Sequence, residues 1–534
     1  MLRIAIPAVF VAAIAFCAPA YADALDDAEK ACEGKTGQTP DQIVAGCTTV
    51  IQSGQYDQAN LSLAYINRGL GYHQKNELDK AIADYEEALK LNPQSAVAFY
   101  ARGTVYRDKG ANELALADLD RAVAIKPDLP DLFATRGNVL AAMGEHERAI
   151  ADFTEALRVK PGDANALSSR GYSYYKNGEI DLAMLDYDAA LAIRPDAIDF
   201  LNRGVAHFKL GEHEKSIADY SEALKLQPDY ELAVANRCDA YNKIAEFDKA
   251  IADCNEAIRL KPDDALAFHD RGVAYRGKHD YVNAIADFDK AFSLDPELTS
   301  ALFDRAIAYE EQQDFEHAIQ DLDRYVGLEP DDASGYMMRG VTLFEKGDFA
   351  RAVPDFEKQN QLNPQYAYAS LWLTIARGKV GDVSAEQIFQ SARQVNLQEW
   401  PGPLISFSMG QATVDEVRKA ASAGDAKTQS EQNCEADFFV GEIELKRGNT
   451  SEARTLLQRA VDTCPKTYYE YGGALAEMKR IGGGDIMAMA KGYYDQLASA
   501  LPAWFPREAL PFVIGIVIGG VLVLFLRRRK RAQS

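Results

Sequence analysis

The chain has 534 residues, of which 47% are hydrophobic and 26% charged, so it is too long for one compact core and has the composition of a folded protein. Its net charge of −22 argues against nucleic acid and acidic lipid as main ligands, because neither would gain counterion-release energy on so acidic a protein. Several domains or a repeat array are therefore expected.

The N-terminus predicts a cleavable export signal. Arg3 precedes an apolar stretch over residues 4–16, and Ala-Tyr-Ala follows at residues 20–22. This charged, apolar and small-residue order is typical of a secretory signal peptide spanning residues 1–22. Cys17 follows a phenylalanine, which fits a lipid-attachment site badly, so we interpret it as part of the removed segment. Residues 23–61 then predict a helical hairpin that caps the following array.

From residue 62 to residue 366 the chain repeats itself nine times, with a period of 34 residues and one step of 33. A proline at position 32 of each unit ends a helix, because proline has no amide hydrogen to donate and its ring clashes with the preceding turn. These prolines are Pro93, Pro127, Pro161, Pro195, Pro228, Pro262, Pro296, Pro330 and Pro364.

Small residues recur at two further positions of the unit. Position 8 is Gly except at Cys238 and Ala306, and position 20 is Ala except at Ser216. They predict two helices in close approach, with an apolar or aromatic residue of position 24 packed between them. These positions resemble those of the tetratricopeptide repeat family over about 305 residues. The resemblance implies an all-α fold, a right-handed α-solenoid of helical hairpins that binds other proteins and is not an enzyme.

Two charged positions are the same in all nine units: position 7 is Arg and position 23 is Asp. A ladder of ion pairs that joins helices within and between repeats is the interpretation we favour, and a charged ligand surface is the alternative. The residues are Arg68, Arg102, Arg136, Arg170, Arg203, Arg237, Arg271, Arg305 and Arg339, with Asp84, Asp118, Asp152, Asp186, Asp219, Asp253, Asp287, Asp321 and Asp355.

Beyond the nine repeats, residues 367–433 keep a helical pattern without the repeat signature. Residues 434–481 predict a further repeat-like unit with a capping helix, and residues 482–508 predict a linker to the membrane. Three segments of this region resemble the new-lipoprotein-I type of bacterial envelope adaptor: AYASLWLTIARGKVG, QEWPGPLISFSMGQATVDEV and EADFFVGEIELKRGNTSEARTLLQRAV. That resemblance implies an adaptor for envelope enzymes, although the chain lacks that family's lipidated N-terminus and adds a C-terminal apolar segment.

The C-terminus predicts a transmembrane helix over residues 509–526. These 18 uncharged residues would reach roughly 27 Å as a helix, which is enough to cross the hydrocarbon core of a bilayer. Five cations follow in the tail of residues 527–534, and they predict a cytoplasmic C-terminus. With the export signal, this makes a single-pass protein of the bacterial inner membrane whose bulk is periplasmic. A sorting signal that is later cut off is the alternative.

Gly515 and Gly519 have the spacing at which two transmembrane helices pack closely, so a homodimer is one expected partner arrangement.

The cysteines that remain after removal of the signal form three pairs, each symmetric about a predicted hairpin turn. Because residues equidistant from such a turn face one another, three local disulfides are expected, and six free thiols are the alternative. Disulfides would agree with an oxidising compartment. The pairs are Cys32 with Cys47, Cys238 with Cys254, and Cys434 with Cys464.

In tetratricopeptide folds, positions 2, 5, 9, 12 and 13 face a concave groove that takes extended peptides or partner segments. Lys176, Lys209 and Lys243 recur at position 13 of three successive repeats and predict a cationic line inside an acidic protein. Solvated, variable positions are the alternative interpretation. The predicted groove residues are Tyr100, Arg107, Asn138, Tyr172, Tyr175, Lys176, Phe208, Lys209, Asp239, Asn242, Lys243, His269, Arg276, Phe303, Met337 and Phe344.

No motif for catalysis, metal binding or phosphate binding occurs in the sequence, so no cofactor and no metal are expected. The function that we predict is a non-enzymatic scaffold that gathers envelope enzymes. An assembly factor for a secretion, polysaccharide or respiratory complex is the first alternative. A hydrolase with its site in residues 367–433 or 468–500 is the second.

Overall fold

The computed structural model describes residues 22–34, 37–129, 131–381 and 383–482. These residues form 27 helices and no strand, which confirms the all-α prediction for the described part of the chain. The predicted transmembrane helix and basic tail lie outside the described residues, as do the predicted signal peptide and linker except for Ala22 and Gly482. Within the described ranges, none of the helices has the length and apolar character needed to cross a bilayer.

The chain divides into two compact units, one ending at Pro262 and one beginning at Asp263. In the first unit, consecutive helices pair as hairpins that stack on their neighbours along the chain. Its helices are α1 (Ala22–Cys32), α2 (Pro40–Ser53), α3 (Gln58–Gln74), α4 (Leu78–Leu91), α5 (Ala96–Asp108), α6 (Asn112–Ile125), α7 (Leu132–Ala142), α8 (His146–Val159), α9 (Ala164–Lys176), α10 (Ile180–Ile193), α11 (Ala197–Lys209), α12 (His213–Leu226), α13 (Glu231–Lys243) and α14 (Phe247–Leu260).

The second unit also begins with helical hairpins, and it ends in shorter, less regular helices. Its helices are α15 (Ala265–Gly277), α16 (Tyr281–Leu294), α17 (Thr299–Glu311), α18 (Phe315–Leu328), α19 (Ala333–Lys346), α20 (Phe349–Leu362), α21 (Ala367–Val380), α22 (Ala385–Ser391), α23 (Gly402–Ser408), α24 (Val414–Ala421), α25 (Ala426–Lys446), α26 (Thr450–Thr463) and α27 (Tyr469–Arg480). Helix α25 begins earlier than residue 434, where the sequence pattern places the start of the last repeat-like unit.

The close approach that the small residues predict is present in the hairpins. A Cβ atom added to Gly69 would lie 2.6 Å from Cε1 of Tyr85, and one added to Gly137 would lie 2.9 Å from Cε1 of Phe153. Real Cβ atoms do not approach other atoms so closely, because dispersion turns to repulsion well before that distance. Glycine at position 8 therefore makes room for the buried aromatic ring of position 24.

Each hairpin turn of the nine repeats places the residue at position 15 in the left-handed conformation, a requirement that the sequence pattern did not reveal. Five of these residues are glycines, which adopt positive φ without a steric cost. Asn76, Ala245, His279 and Gln313 hold the same conformation, with φ between 58° and 61°. The conformation is unfavourable for Ala245, whose Cβ crowds the following carbonyl oxygen.

The Arg–Asp positions form the predicted ladder inside each hairpin. In the fourth repeat, Nε and Nη2 of Arg170 donate to the two carboxylate oxygens of Asp186, both at 2.8 Å. Asp186 is only 5% exposed. Such a two-pronged contact is the strongest geometry that a guanidinium makes with a carboxylate.

The third guanidinium nitrogen extends the ladder to the preceding hairpin. Nη1 of Arg136 donates to Asp120 at 2.8 Å, and Nη1 of Arg203 donates to Asp188 at 2.6 Å. In the fourth repeat the acceptor is the hydroxyl of Thr154, at 3.1 Å from Arg170. The ladder thus joins helices both within and between repeats, and position 25 supplies an acceptor that the sequence analysis did not identify.

Three disulfides close hairpins of the described chain, with Cα–Cα distances of 4.5 Å for Cys32–Cys47, 5.5 Å for Cys238–Cys254 and 5.0 Å for Cys434–Cys464. They join the pairs that the hairpin symmetry predicts. The second bond takes the place that glycine and an aromatic ring occupy in most other repeats, because its cysteines stand at positions 8 and 24.

The core of the last helices centres on Trp372, a fully buried residue of α21. Its ring packs against Phe356 of the ninth repeat at 5.9 Å between centroids and against Phe438 of α25 at 5.0 Å. This core joins the repeats of the second unit to the helices that lack the repeat signature.

Candidate functional site

The first helices of the repeats in the first unit lie side by side and present one shared face. Helix α5 contacts α7, α7 contacts α9, α9 contacts α11, and α11 contacts α13. We call the exposed side of these five helices the first-helix face. Its predicted groove residues, Tyr100, Arg107, Asn138, Tyr172, Tyr175, Lys176, Phe208, Lys209, Asp239, Asn242 and Lys243, are all partly or fully exposed.

Cations and aromatic rings alternate at the centre of the first-helix face. Nζ of Lys176 lies 5.8 Å from the ring centroid of Tyr172, and Nζ of Lys209 lies 6.0 Å from that of Tyr175. The second contact joins neighbouring repeats, since Tyr175 is on α9 and Lys209 is on α11. Tyr172 is an exposed large side chain, with 41% of its surface accessible. Ammonium groups held over aromatic faces keep their charge at the surface, where they can bind an acidic or carbonyl-bearing partner.

Polar contacts between successive first helices hold the rest of this face in place. The hydroxyl of Tyr100 lies 3.3 Å from that of Thr135, one repeat further along. Nε2 of His73 lies 2.7 Å from Asp108, which Arg107 also contacts at 2.7 Å. Contacts between neighbouring first helices therefore fix the positions of these side chains on the first-helix face.

In the second unit, His269 is held between two carboxylates. Its ring nitrogens lie 3.2 Å from Asp270 and 2.9 Å from Asp304. Burial would lower the pKa of the ring, but the hydrogen bonds to the two carboxylates outweigh it and raise the pKa to about 9. Arg276 lies 3.3 Å from the same Asp304. These predicted groove residues are thus already paired within the chain.

Met337 and Phe344 do not line an open groove, which corrects the sequence-based assignment. They are 3% and 0% exposed, respectively, because the last described helices pack over α19, the first helix of the ninth repeat. Phe303 remains half-buried, with its ring 5.1 Å from that of Tyr325. A local repeat pattern cannot show that a distant segment covers these positions.

Helix α27 is the segment that lies on this part of the second unit. Arg480 donates to the backbone carbonyl oxygens of Phe344 and Glu345, the second at 2.8 Å, and its guanidinium lies 5.4 Å from the Phe344 ring centroid. Lys479 donates to Gln313 at 2.7 Å. A Cβ atom on Gly473 would lie 2.7 Å from the buried ring of Phe438, so glycine permits this close packing.

A buried carboxyl pair lies beside α27. Burial raises the pKa of Glu345 well above its ordinary value, and the neighbouring Glu310 raises it further. Burial also raises the pKa of Glu310, which accepts a hydrogen bond from Glu345. Like charges in contact repel, so ionisation of one carboxyl group disfavours ionisation of the other.

Groups of three or more His, Cys, Asp or Glu side chains placed to hold a metal ion do not occur among the described residues.

Comparison with known families agrees with the repeat geometry. A model described as TPR repeat matches residues 69–107 and 103–144. Models described as tetratricopeptide repeat match residues 135–198, 198–230, 236–264, 273–337 and 333–366. Together these matches cover more than half of the 534 residues. The chain belongs to the tetratricopeptide repeat family.

Several solved structures resemble parts of this chain. YrrB, a TPR protein with an unusual peptide-binding site, is 28% identical over 36% of this chain and 96% of its own, with a TM-score of 0.33. A protein from Parabacteroides merdae is 20% identical over 46% of this chain and 98% of its own, with a TM-score of 0.37. MamA from Desulfovibrio magneticus is 22% identical over 32% of this chain and 97% of its own, with a TM-score of 0.31. TM-scores of this size say nothing about what this chain binds.

This tetratricopeptide repeat protein also has a polar contact between neighbouring first helices that the sequence analysis missed. Ser168 donates to Asp199, a residue of α11 that is only 2% exposed. Burial raises the pKa of this carboxyl, and the hydrogen bond from Ser168 opposes the rise. The spacing of about one repeat between such partners is the signal that could have identified them, because residues one period apart lie on adjacent first helices.

Proposed function

We propose that this tetratricopeptide repeat protein is a scaffold that binds an extended, acidic segment of a partner protein on the first-helix face. The observation that carries the proposal is the pair of lysines held over tyrosine rings, Lys176 over the exposed Tyr172 and Lys209 over the half-buried Tyr175. Tyrosine is among the residues that contribute most to the binding energy of protein interfaces. The cationic strip favours an acidic partner segment. The net charge of −22 on the whole molecule disfavours nucleic acid.

The proposed location is the periplasmic side of a bacterial inner membrane. The export pattern of residues 1–22, the apolar segment 509–526 and the basic tail 527–534 support a single-pass protein with a cytoplasmic C-terminus. Three disulfide-bonded cysteine pairs support an oxidising compartment. The likeness of the last helices to new-lipoprotein-I type adaptors supports envelope enzymes as partners, and Gly515 with Gly519 supports a homodimer.

Crosslinking in intact cells tests the binding surface. Partners crosslinked to the wild-type chain are identified by mass spectrometry and compared with those of a variant in which Lys176, Lys209 and Lys243 are changed to Glu. The matched control changes three exposed lysines of the second helices, with side chains 62%, 68% and 57% exposed, by the same charge: Lys215, Lys225 and Lys249.

We expect the first-helix variant to lose a defined set of envelope proteins and the control to keep that set. Equal loss in both variants would mean that net charge, and not this face, governs the interactions. An unchanged set in both would refute the first-helix face as the binding surface.

Topology has its own test. A single cysteine placed in the tail should react with a membrane-impermeant maleimide only after the inner membrane is opened, whereas one placed in α6 should react as soon as the outer membrane is permeable. The reverse pattern would refute the proposed orientation.

A further inference from the structure

A cavity of about 410 Å³ lies among helices α21, α22, α23 and α25 of the second unit. Its volume is at the lower end of the range for small-ligand sites, which suits one or two residues of a peptide. None of its residues belongs to the first-helix face. Five aliphatic side chains form its apolar wall: Ile375, Val383, Ile388, Ile443 and Leu445.

A buried carboxyl group, that of Glu442, forms part of the same wall. Glu442 is only 3% exposed, and its Oε1 has no hydrogen-bond partner in the described part of the chain. Nζ of Lys379 lies 2.8 Å from its Oε2, in an ion-pair contact without hydrogen-bond geometry. Lys379 also lies 2.7 Å from Glu477, which in addition pairs with Arg480. One ammonium is thus shared between two carboxyl groups.

Burial raises the pKa of Glu442 to about 7; the nearby Lys379 and Arg480 lower it, and Glu477 raises it. A buried polar atom without a partner is unfavourable, so a ligand that pairs with Oε1 removes that penalty. When protonated, Glu442 can donate its hydrogen bond to an acceptor such as a carboxylate.

The charged residues at the cavity rim favour an anion. Lys446 is exposed and forms no ion pair with the described residues, and it stands four positions after Glu442, on the same side of α25. Gly378 faces it: a Cβ there would lie 3.1 Å from Cδ of Lys446, so the glycine leaves space beside the lysine. Arg447, by contrast, is already paired with Glu444 at 2.7 Å.

We propose that this cavity binds the C-terminal residue of a partner protein, with its apolar side chain against the aliphatic wall and its carboxylate between Lys446 and the protonated Glu442. The cavity shares no residue with the first-helix face, so it is a second binding site, and either site can be refuted while the other stands. Capture of a C-terminal carboxylate is a recurring mode of peptide recognition.

Fluorescence anisotropy with the purified full chain tests the proposal. The probe is a fluorescein-labelled pentapeptide, Gly-Ser-Gly-Ser-Leu, with either a free C-terminal carboxylate or a carboxamide. We expect the carboxamide to bind at least tenfold more weakly, since a charge-assisted hydrogen bond is lost. The Lys446→Gln variant should weaken binding of the free acid by about tenfold. The control Lys427→Gln, on the same helix with a side chain 84% exposed, should leave it unchanged.

The pH dependence of binding distinguishes a carboxylate ligand from an amine ligand. Binding of the free acid should tighten severalfold from pH 8 to pH 6, as Glu442 gains its proton, and Glu442→Gln, which keeps a donor, should remove that dependence. Binding that weakens over this range, equal affinity for acid and carboxamide, or equal effects of Lys446→Gln and Lys427→Gln would overturn the proposal. Competition by free 4-methylpentanoate at the affinity of the peptide would also overturn it, because the site would then serve a free small acid.

Discussion

Removal of one carboxylate from the Arg–Asp ladder distinguishes a structural ladder from a ligand surface. In the Asp186→Ala variant, Arg170 loses both hydrogen bonds at 2.8 Å and keeps only the hydroxyl of Thr154 at 3.1 Å. The side chain of Arg170 is 19% exposed, so its charge remains mostly out of water after the carboxylate is gone.

The size of the loss follows from that burial. Breaking a fully buried pair from one side costs about 3–5 kcal/mol, because an unpaired charge stays in a poor solvent. Since a fifth of the Arg170 side chain reaches water, we expect a loss of roughly 2–3 kcal/mol for Asp186→Ala. The matched control is Asp188→Ala, which removes the same charge from the same helix. Asp188 is 59% exposed in its pair with Arg203, so its loss should be about 0–1 kcal/mol.

Urea unfolding followed by circular dichroism measures the two losses, and hydrogen exchange of the amides in α9 and α10 locates them. The exchange measurement is needed because repeat arrays can unfold in parts, so that one unfolding free energy does not describe the chain. Equal losses for the two variants would refute the structural reasoning. So would an Asp186→Ala variant of unchanged stability that loses crosslinked partners, because the ladder would then be a ligand surface.

Three further predictions concern the turns, α27 and His269. Ala245→Gly should raise the free energy of unfolding by about 1 kcal/mol in urea titrations, since glycine adopts the left-handed turn without steric cost. Gly473→Leu should release α27 and speed hydrogen exchange of Phe344, because its side chain would overlap the rings of Phe438 and Trp372. Because folding raises the pKa of His269, the charged ring stabilises the fold fully below its unfolded pKa near 6.5, and this contribution is lost as the pH rises through about 9. The free energy of unfolding should therefore fall over that range more in wild type than in His269→Gln.

Matched variants check these three results. Gly327→Leu, at a helical glycine with no atom within 4 Å of an added Cβ, should leave exchange of Phe344 unchanged. Gly178→Ala, at the same turn position as Ala245 and with φ of 85°, should lower stability where Ala245→Gly raises it. A parallel pH dependence in wild type and His269→Gln would show that the two carboxylates beside the ring do not stabilise its charged form.

Much of the fold could be predicted from the sequence because a tetratricopeptide repeat is built from contacts within one period. The glycine of position 8, the aromatic residue of position 24 and the proline of position 32 act on neighbours inside the same hairpin, so their spacing alone predicts the packing. The same holds for Arg170 with Asp186 and for Cys238 with Cys254, which face one another across a single turn. The left-handed residue of position 15 was missed because Asn, Ala, His and Gln share that position with glycine.

The cavity of the second unit and the covered positions of α19 depend on contacts that no local period records. Helix α27 packs over Phe344 from 136 residues further along the chain, and its docking closes positions that the repeat pattern predicts to be open. The cavity beside Glu442 arises where helices without the repeat signature fold back on α21. Burial there, and not residue type, moves the pKa of Glu442, since a carboxyl group in water would titrate near its ordinary value. Short-range contacts repeated nine times determine the scaffold, whereas the desolvation that makes a binding site exists only once distant helices have packed together.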